Sequence, residues 1–283
     1  MFDRLSRSWR LVKASASVLR QDKELVLFPL ISVASLVLLV AAFAVPVIGL
    51  GALDGLHRRG DLSVAAYVVA FLFYFSQYFI IFFFNEALVG PAMIRLDGGD
   101  PTLGDGLRVA TSRIGAIAGY ALIAATVGMI LRAIQERVGF IGRIVVGLIG
   151  VAWNIATFLV VPVLVADDGG PIDAVKHSAR LVKKTWGENV IGNAGIGIVF
   201  GFLSFLVVVL GIGAFAMALM AKSMGLALLL VPALVGVVLV FLFLVHSALS
   251  GIYAAALYRY ALGKPSQGFE GTVLQAAFAP KWR

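Results

Sequence analysis

Six stretches of this chain carry no charged side chain: Leu25–Leu53, Leu62–Asn85, Ile114–Leu131, Ile144–Ala166, Asn189–Ala221 and Ser223–Tyr258. A helix needs roughly 20 apolar residues to cross a hydrocarbon core about 30 Å thick, and all six reach that length, the third only just. Inside such a layer no water meets the backbone, so N–H and C=O groups must pair within helices or within a closed barrel. None of the stretches alternates apolar and polar residues as a barrel strand does, which leaves helices. The last two are longer than a span requires and predict tilt, extension or a bend, with Pro232 a candidate kink. Composition agrees, since 61% hydrophobic and 13% charged is not the balance of a soluble globule. The first 24 residues are too charged, and the first apolar stretch too long, for a cleaved secretory leader. With no cysteine, disulfides, thiolate metal sites and cysteine nucleophiles are all excluded.

Lysine and arginine predict the orientation. One side collects Arg4, Arg7, Arg10, Lys13, Arg20 and Lys23, then Arg95, Arg108 and Arg113, then Lys176, Arg180, Lys183 and Lys184, and finally Arg259, Lys264, Lys281 and Arg283. The other side holds Arg58, Arg59, Arg132, Arg137, Arg143 and Lys222. The positive-inside rule places both termini in the cytoplasm, and the chain reads as a multi-pass protein of a bacterial inner membrane. Its formal charge of +8 lies beside the inner leaflet, where each basic residue near an anionic surface contributes about 1 kcal/mol. No aromatic-interleaved soluble module suggests nucleic acid as a partner.

Two segments echo one another. DRLSRSWRLVK from Asp3 and DAVKHSARLVK from Asp173 share the Asp, a Ser at the sixth place and the closing Arg-Leu-Val-Lys, and each precedes two apolar stretches. Phe2, Leu5, Trp9, Val12, Ala16 and Leu19 in the first, and Ile172, Val175, Ala179, Val182 and Trp186 in the second, form one apolar stripe on a helix. Basic residues around such a stripe predict an amphipathic helix lying in the headgroup plane. A fainter copy holds Leu103, Leu107, Ala110 and Ile114, with Arg108 and Arg113. The exits of the spans also correspond: VGPAMIRLDGGDP from Val89, VVPVLVADDGGP from Val160 and ALYRYALGKP from Ala256. Gly and Pro there end each helix and turn the chain. The expectation is an all-α membrane fold of six transmembrane helices in three parallel pseudo-repeats, each an interfacial amphipathic helix plus a helical hairpin. The units run 1–98, 99–168 and 169–262, with a cytoplasmic tail at 263–283, within one polytopic domain spanning 1–283. Their pseudo-symmetry axis is expected along the membrane normal. Gly115 with Gly119, Gly147 with Gly150, and Gly197 with Gly201 support close helix approach.

SWRLVKASASVLRQDKELVLFPLIS from Ser8, LDGGDPTLGDGL from Leu96, VVPVLVADDGGPIDAVKHSARLVKKTWGENVIGN from Val160 and ALYRYALGKP together carry a family likeness. On them the chain resembles a bacterial family of six-span membrane proteins known only as a domain of unknown function. The resemblance implies a full-length member and supplies no activity and no catalytic residue.

Chemistry is confined to a few polar residues within the apolar stretches. Glu86 lies nine residues before Arg95, about 13 Å along a helix, and so deep in the hydrocarbon. A charged residue there costs roughly 2.5–3.5 kcal/mol on insertion scales, so Glu86 is expected to face the bundle and find a partner. Asn85, Asn154, Thr157, His246 and Ser250 are the candidates. The repeat alignment makes Glu86, Thr157 and Ser250 equivalent positions that converge on one patch. Such a patch either glues helices together or forms a proton or ion site.

His246 has no second histidine at i+4 and suggests no zinc; His57 and His177 are scattered. Asp97, Asp100, Asp167 and Asp168 resemble the acidic pairs of headgroup transferases, yet they flank Gly and Pro, where Asp shapes turns. No metal or cofactor is expected, and no nucleophile stands beside a base. Trp186 should anchor the interface, and Glu188 should neutralise Lys184 at i+4. The leading function is therefore non-enzymatic: an inner-membrane protein that binds anionic lipid through Arg4, Arg7, Arg10, Lys13, Lys176, Arg180, Lys183 and Lys184, and scaffolds or assembles in the membrane. The alternative is a channel or transporter with its polar site around Glu86. A homo-oligomer is compatible with either.

Overall fold

The computed structural model describes residues 2–49, 64–184, 186–220 and 227–266, with side chains over 12–45, 67–184, 195–220 and 229–266. Among these the chain is helical and contains no strand. Helix α1 (Phe2–Gln21) leads through a short 3-10 turn at Lys23–Val26 into α2 (Leu27–Gly49), and α3 (Val64–Leu96) follows. The chain continues through α4 (Leu103–Ser112), α5 (Ile114–Arg137), α6 (Phe140–Ala156) and α7 (Val160–Ala166). It closes with α8 (Pro171–Lys184), α9 (Trp186–Met220) and α10 (Ala227–Ala261). Six segments are long and apolar enough to cross a membrane: Lys23–Val45, Tyr67–Leu96, Ile114–Arg137, Phe140–Ala166, Gly195–Met220 and Leu229–Ala261. These make the chain a multi-pass helical membrane protein. His57, Arg58, Arg59, Lys222, Lys281 and Arg283 lie outside the described residues, as does the tail from residue 267.

Packing is tight at one end of the bundle and loose at the other. At the end where α3, α7 and α10 terminate, here the near face, every residue from Ile252 to Arg259 is buried. Alanines at 254, 255 and 256 let neighbours approach this segment from all sides, and α1, α2, α3, α7, α8 and α9 all pack on α10. Toward the far face the same helices splay. There Val37 and Leu38 of α2, Phe202 and Phe205 of α9, and Leu234, Val237 and Phe241 of α10 are exposed, as lipid-facing residues are. Pro232 stays inside a continuous α10, and α9 and α10 have 35 residues each, so both exceed a simple span.

Two prolines show how the short helices lock into the near end. Pro91 lies inside α3 and has no N–H to give to the Ala87 carbonyl. Gly106 of α4 sits against that oxygen so closely that any side chain would overlap it, and would also meet Phe28 and Pro91. Pro162 has the equivalent place in the fourth span, and there the helix breaks. The Thr157 and Phe158 amides bond to the Trp153 and Ile155 carbonyls, and that of Val160 bonds to Thr157, which leaves Leu159 N–H without a helical acceptor. Ser178 of α8 supplies one: its Oγ accepts from Leu159 N at 3.1 Å and donates to the Ala156 carbonyl at 2.7 Å. The serine of the repeated motif is thus the stitch across a broken span, a break that the uncharged run Ile144–Ala166 does not announce.

The stripes are buried in a register that differs from the expected one. In α8 the covered positions are Ala174, Ser178, Leu181 and Val182, while Ile172 is exposed and Val175 and Ala179 are half-covered. In α1 they are Val12, Ala14, Ser15 and Val18, with Ala16 and Leu19 half-covered. Small residues admit the neighbouring helix, so close approach rather than hydropathy chooses the face. The stripe positions Phe2, Leu5, Trp9 and Trp186 have side chains outside the described residues, as do Glu188 and Asn189.

Candidate functional site

Where the helices splay, α3, α5, α6, α7 and α10 enclose a cavity of about 860 Å³. Asn85, Asn154, Thr157, His246 and Ser250 all line it, joined by Tyr78, Tyr120, Trp153 and Ser247. Five of the six expected polar residues therefore share one space, though they come from three separate spans. Each arrives by helix geometry: Tyr78, Asn85 and Val89 lie on one face of α3, and Ser247, Ser250, Gly251 and Ala254 on one face of α10. The cavity extends along α5 from Tyr120 to Gln135, about 22 Å of helix. Its far mouth holds Gln135 and Arg132, both exposed; Arg132 bonds Glu136 at 3.1 Å and also donates to the Tyr74 hydroxyl. At the near end it closes on the packed segment around Ala254 and Pro162.

Glu86 does not line this space. It follows Asn85 on α3, is fully buried, and among the described residues both its carboxyl oxygens lack a hydrogen-bond partner. The expected pairing with a neighbouring amide or hydroxyl is absent: Thr157 turns its hydroxyl to the Trp153 carbonyl at 2.8 Å, and the Ser250 Oγ is itself buried without a partner. His246 meets the Phe200 ring edge-on at 5.3 Å. A carboxyl and a hydroxyl, both buried beside the cavity, thus lack a donor or acceptor, an arrangement that costs free energy unless a proton or water supplies it. The charge of Arg113 reaches Glu86 from the near-face end of α5.

Below the cavity lies a layer of ion pairs that the sequence does not reveal. Arg95 grips Asp22 in a two-pronged contact, both arms at 2.5 Å, and reaches Asp100 at 2.5 Å. Arg259 pairs with Asp97 at 2.5 Å and Arg113 with Asp168 at 2.6 Å. His177 Nδ1 lies 2.7 Å from Asp167, whose other oxygen accepts from Tyr258 at 3.3 Å. The four aspartates expected to shape turns each hold a cation or histidine, and His177 is not isolated. Turn shaping belongs to the glycines. Gly98 and Gly263 have φ of 89° and 72°, and each closes its helix with paired bonds, Gly99 to Ile94 and Gly98 to Arg95 in one case, Lys264 to Arg259 and Gly263 to Tyr260 in the other. Gly98 and Gly263 thus hold the same place in two caps of the same form.

The basic residues expected to meet lipid are only partly at liberty to do so. Lys176, Arg180, Lys183 and Lys184 are exposed on α8, and Lys13 on α1. Lys184 Nζ donates to the Ala261 carbonyl at 2.8 Å and so caps α10, and Lys176 stands 3.9 Å from Asp173. Arg4, Arg7 and Arg10 have side chains outside the described residues. Among the described residues no group of three or more His, Asp or Glu could hold a metal ion.

No curated protein matches the chain. Residues 64–269, which carry the cavity, Glu86 and all of the ion-pair layer but Asp22, match one family model. With that match over well over half its length, the chain belongs to the Family of unknown function (DUF6159).

Proposed function

We propose that this protein is a membrane carrier: it admits a polar ligand into the cavity, and Glu86 behind the wall takes up a proton or cation as part of the cycle. The observation that carries this reading is the gathering of Asn85, Asn154, Thr157, His246 and Ser250 around 860 Å³ beside a buried carboxyl with no partner. Helix glue alone is a weaker account, because glue closes its hydrogen bonds and leaves no room. The three units 1–98, 99–168 and 169–262 fit a carrier of pseudo-repeats, supported by the recurring order of one short helix and two long spans. The proton is the probe: purified protein in liposomes with an entrapped pH dye, under an imposed potential. Wild type should acidify the lumen at least about tenfold faster than Glu86→Gln, which corresponds to a barrier raised by about 1.4 kcal/mol or more in the variant. Equal rates for the two proteins would overturn the reading.

A second reading, anionic-lipid binding with a scaffolding role, rests on the exposed cations Arg180 and Lys183. It places α1, α4 and α8 in the headgroup plane of the cytoplasmic leaflet. Its test is lipid selectivity in mixed vesicles: preference for phosphatidylglycerol over phosphatidylcholine should fall in an Arg180→Gln, Lys183→Gln variant. An unchanged preference counts against it.

A further inference from the structure

On one side of the cavity, helix packing does not close the wall. Helix α3 packs extensively on α5 and on α10, and α5 packs on α6, which closes three sides. Helix α6 finds its packing against α5 and α8 and makes no comparable contact with α10. Phe243 of α10 lines the cavity and is exposed, and Leu148 and Val151 of α6 are exposed as lipid-facing residues are. Asn154, an exposed amide near the middle of the fourth span, stands on α6 and lines the cavity. An amide in hydrocarbon is costly unless something polar meets it.

The interior chemistry selects what can enter. The cavity wall is mostly apolar, with aromatic rings and a few amides and hydroxyls set into it. Among the described residues its one charged side chain, Arg132, sits at the far mouth and is already engaged by Glu136 and Tyr74. Among those residues no free cation lines the interior to meet a phosphate, and the carboxyl of Glu86 is buried beside Asn85. A phosphate drawn from water or lipid would be desolvated without compensation. The exposed amide of Asn154, by contrast, stands on the cavity wall and is suited to a hydroxyl or amide. The volume falls within the usual range of about 300–1,000 Å³ for a site that encloses a small organic ligand.

We propose that the ligand is a membrane lipid with an uncharged, hydroxyl-bearing headgroup, which enters sideways between α6 and α10, lodges its head near Asn154 and Ser250, and leaves its chain in the bilayer. This rests on the reading of the cavity as a binding site. It goes further by drawing the ligand from the membrane rather than from water.

The test uses full-length protein in phosphatidylcholine vesicles with a trace of diacylglycerol carrying a photoactivatable group on its acyl chain. The same chain on phosphatidylglycerol is the comparison. Irradiation and peptide mapping should place the diacylglycerol label on the cavity faces of α6 and α10, in excess over phosphatidylglycerol by about tenfold, the factor for one uncompensated charge or forgone buried hydrogen bond. Gly147→Trp should abolish it, since a side chain there meets nothing within 4 Å and grows into open space. Asn154→Leu, which keeps the same branched four-heavy-atom skeleton while removing the amide, should weaken it in protein that remains monodisperse.

Equal labelling by both lipids, or labelling indifferent to both variants, would mark ordinary surrounding lipid and overturn the proposal. Proton flux in the same vesicles separates the two levels. Glu86-dependent flux with no cavity labelling overturns the lipid assignment alone, whereas absence of both overturns the carrier reading as well.

Discussion

Removing one oxygen from α8 tests whether the fourth span is held together from outside. Ser178→Ala deletes the Oγ that accepts from Leu159 N–H at 3.1 Å and donates to the Ala156 carbonyl at 2.7 Å. Leu159 is fully buried, and the Ile155 carbonyl that a continuous helix would offer its amide is taken by Phe158. No other acceptor replaces the serine. An orphaned buried donor costs about 1–3 kcal/mol, and loss of the second bond, at the half-exposed Ala156, adds about 1 kcal/mol. The expected total is about 2–4 kcal/mol, or a factor of roughly 30 to 1,000 in the unfolding equilibrium. Equilibrium unfolding in mixed micelles measures this directly, and hydrogen exchange at the Leu159 amide should accelerate by a similar factor. Ser112→Ala is the control: its hydroxyl bonds the Val109 carbonyl of its own exposed turn, so the change should stay within about 0.5 kcal/mol. If Ser178→Ala matched that control with the fold intact, the break would be self-supporting and the stitch unnecessary.

Three further outcomes are expected. Glu86→Leu should raise the unfolding midpoint in micelles while abolishing proton flux, because the carboxyl it removes is buried without a partner; a lowered midpoint would reveal a partner that the wild-type side chain depends on. Gly106→Val should destabilise by about 1–3 kcal/mol through collision with Ala87, Phe28 and Pro91, whereas Gly104→Val, with only the Thr102 Oγ1 at 3.6 Å from its would-be Cβ, should change little in the same unfolding assay. Asp105 is held below its ordinary value of 3.8 by the Thr102 side chain and backbone, with the Arg108 charge assisting. A folded value that is depressed stabilises fully above 3.8 and is lost as pH falls through the lower folded value, so exchange of the first α4 amides should quicken only in acid, and Asp105→Asn should erase that dependence.

The spans were legible because their signal is local. A run such as Leu25–Leu53 or Ser223–Tyr258 states its burial in lipid residue by residue, and the structure places a long helix in each. The short helices α1, α4 and α8 were legible for the same reason. Their buried faces were less so, since Ser178 and Ala174 are covered for what they allow to approach, not for their hydropathy. Pro91 and Pro162 occupy matching places, yet one helix continues and the other breaks, and the difference lies in what α4 and α8 present to each. The pairing of Arg95 with Asp22, 73 positions apart, joins two turns that read separately as loop chemistry. The polar cluster was legible as a list of intramembrane side chains, but its cavity was not. That space exists because α10 is packed on all sides at one end and released at the other.

The account stands on a cavity that is open toward the far face and shut at the near one. Because the chain has no cysteine, a single one introduced at Asn154 reports on this without background. In oriented vesicles, a membrane-impermeant maleimide applied to the face bearing Arg132 and Gln135 should label Asn154→Cys, and the same reagent applied to the face bearing Arg95 and Arg259 should not. Labelling from the Arg95 face, or protection from both, would contradict it.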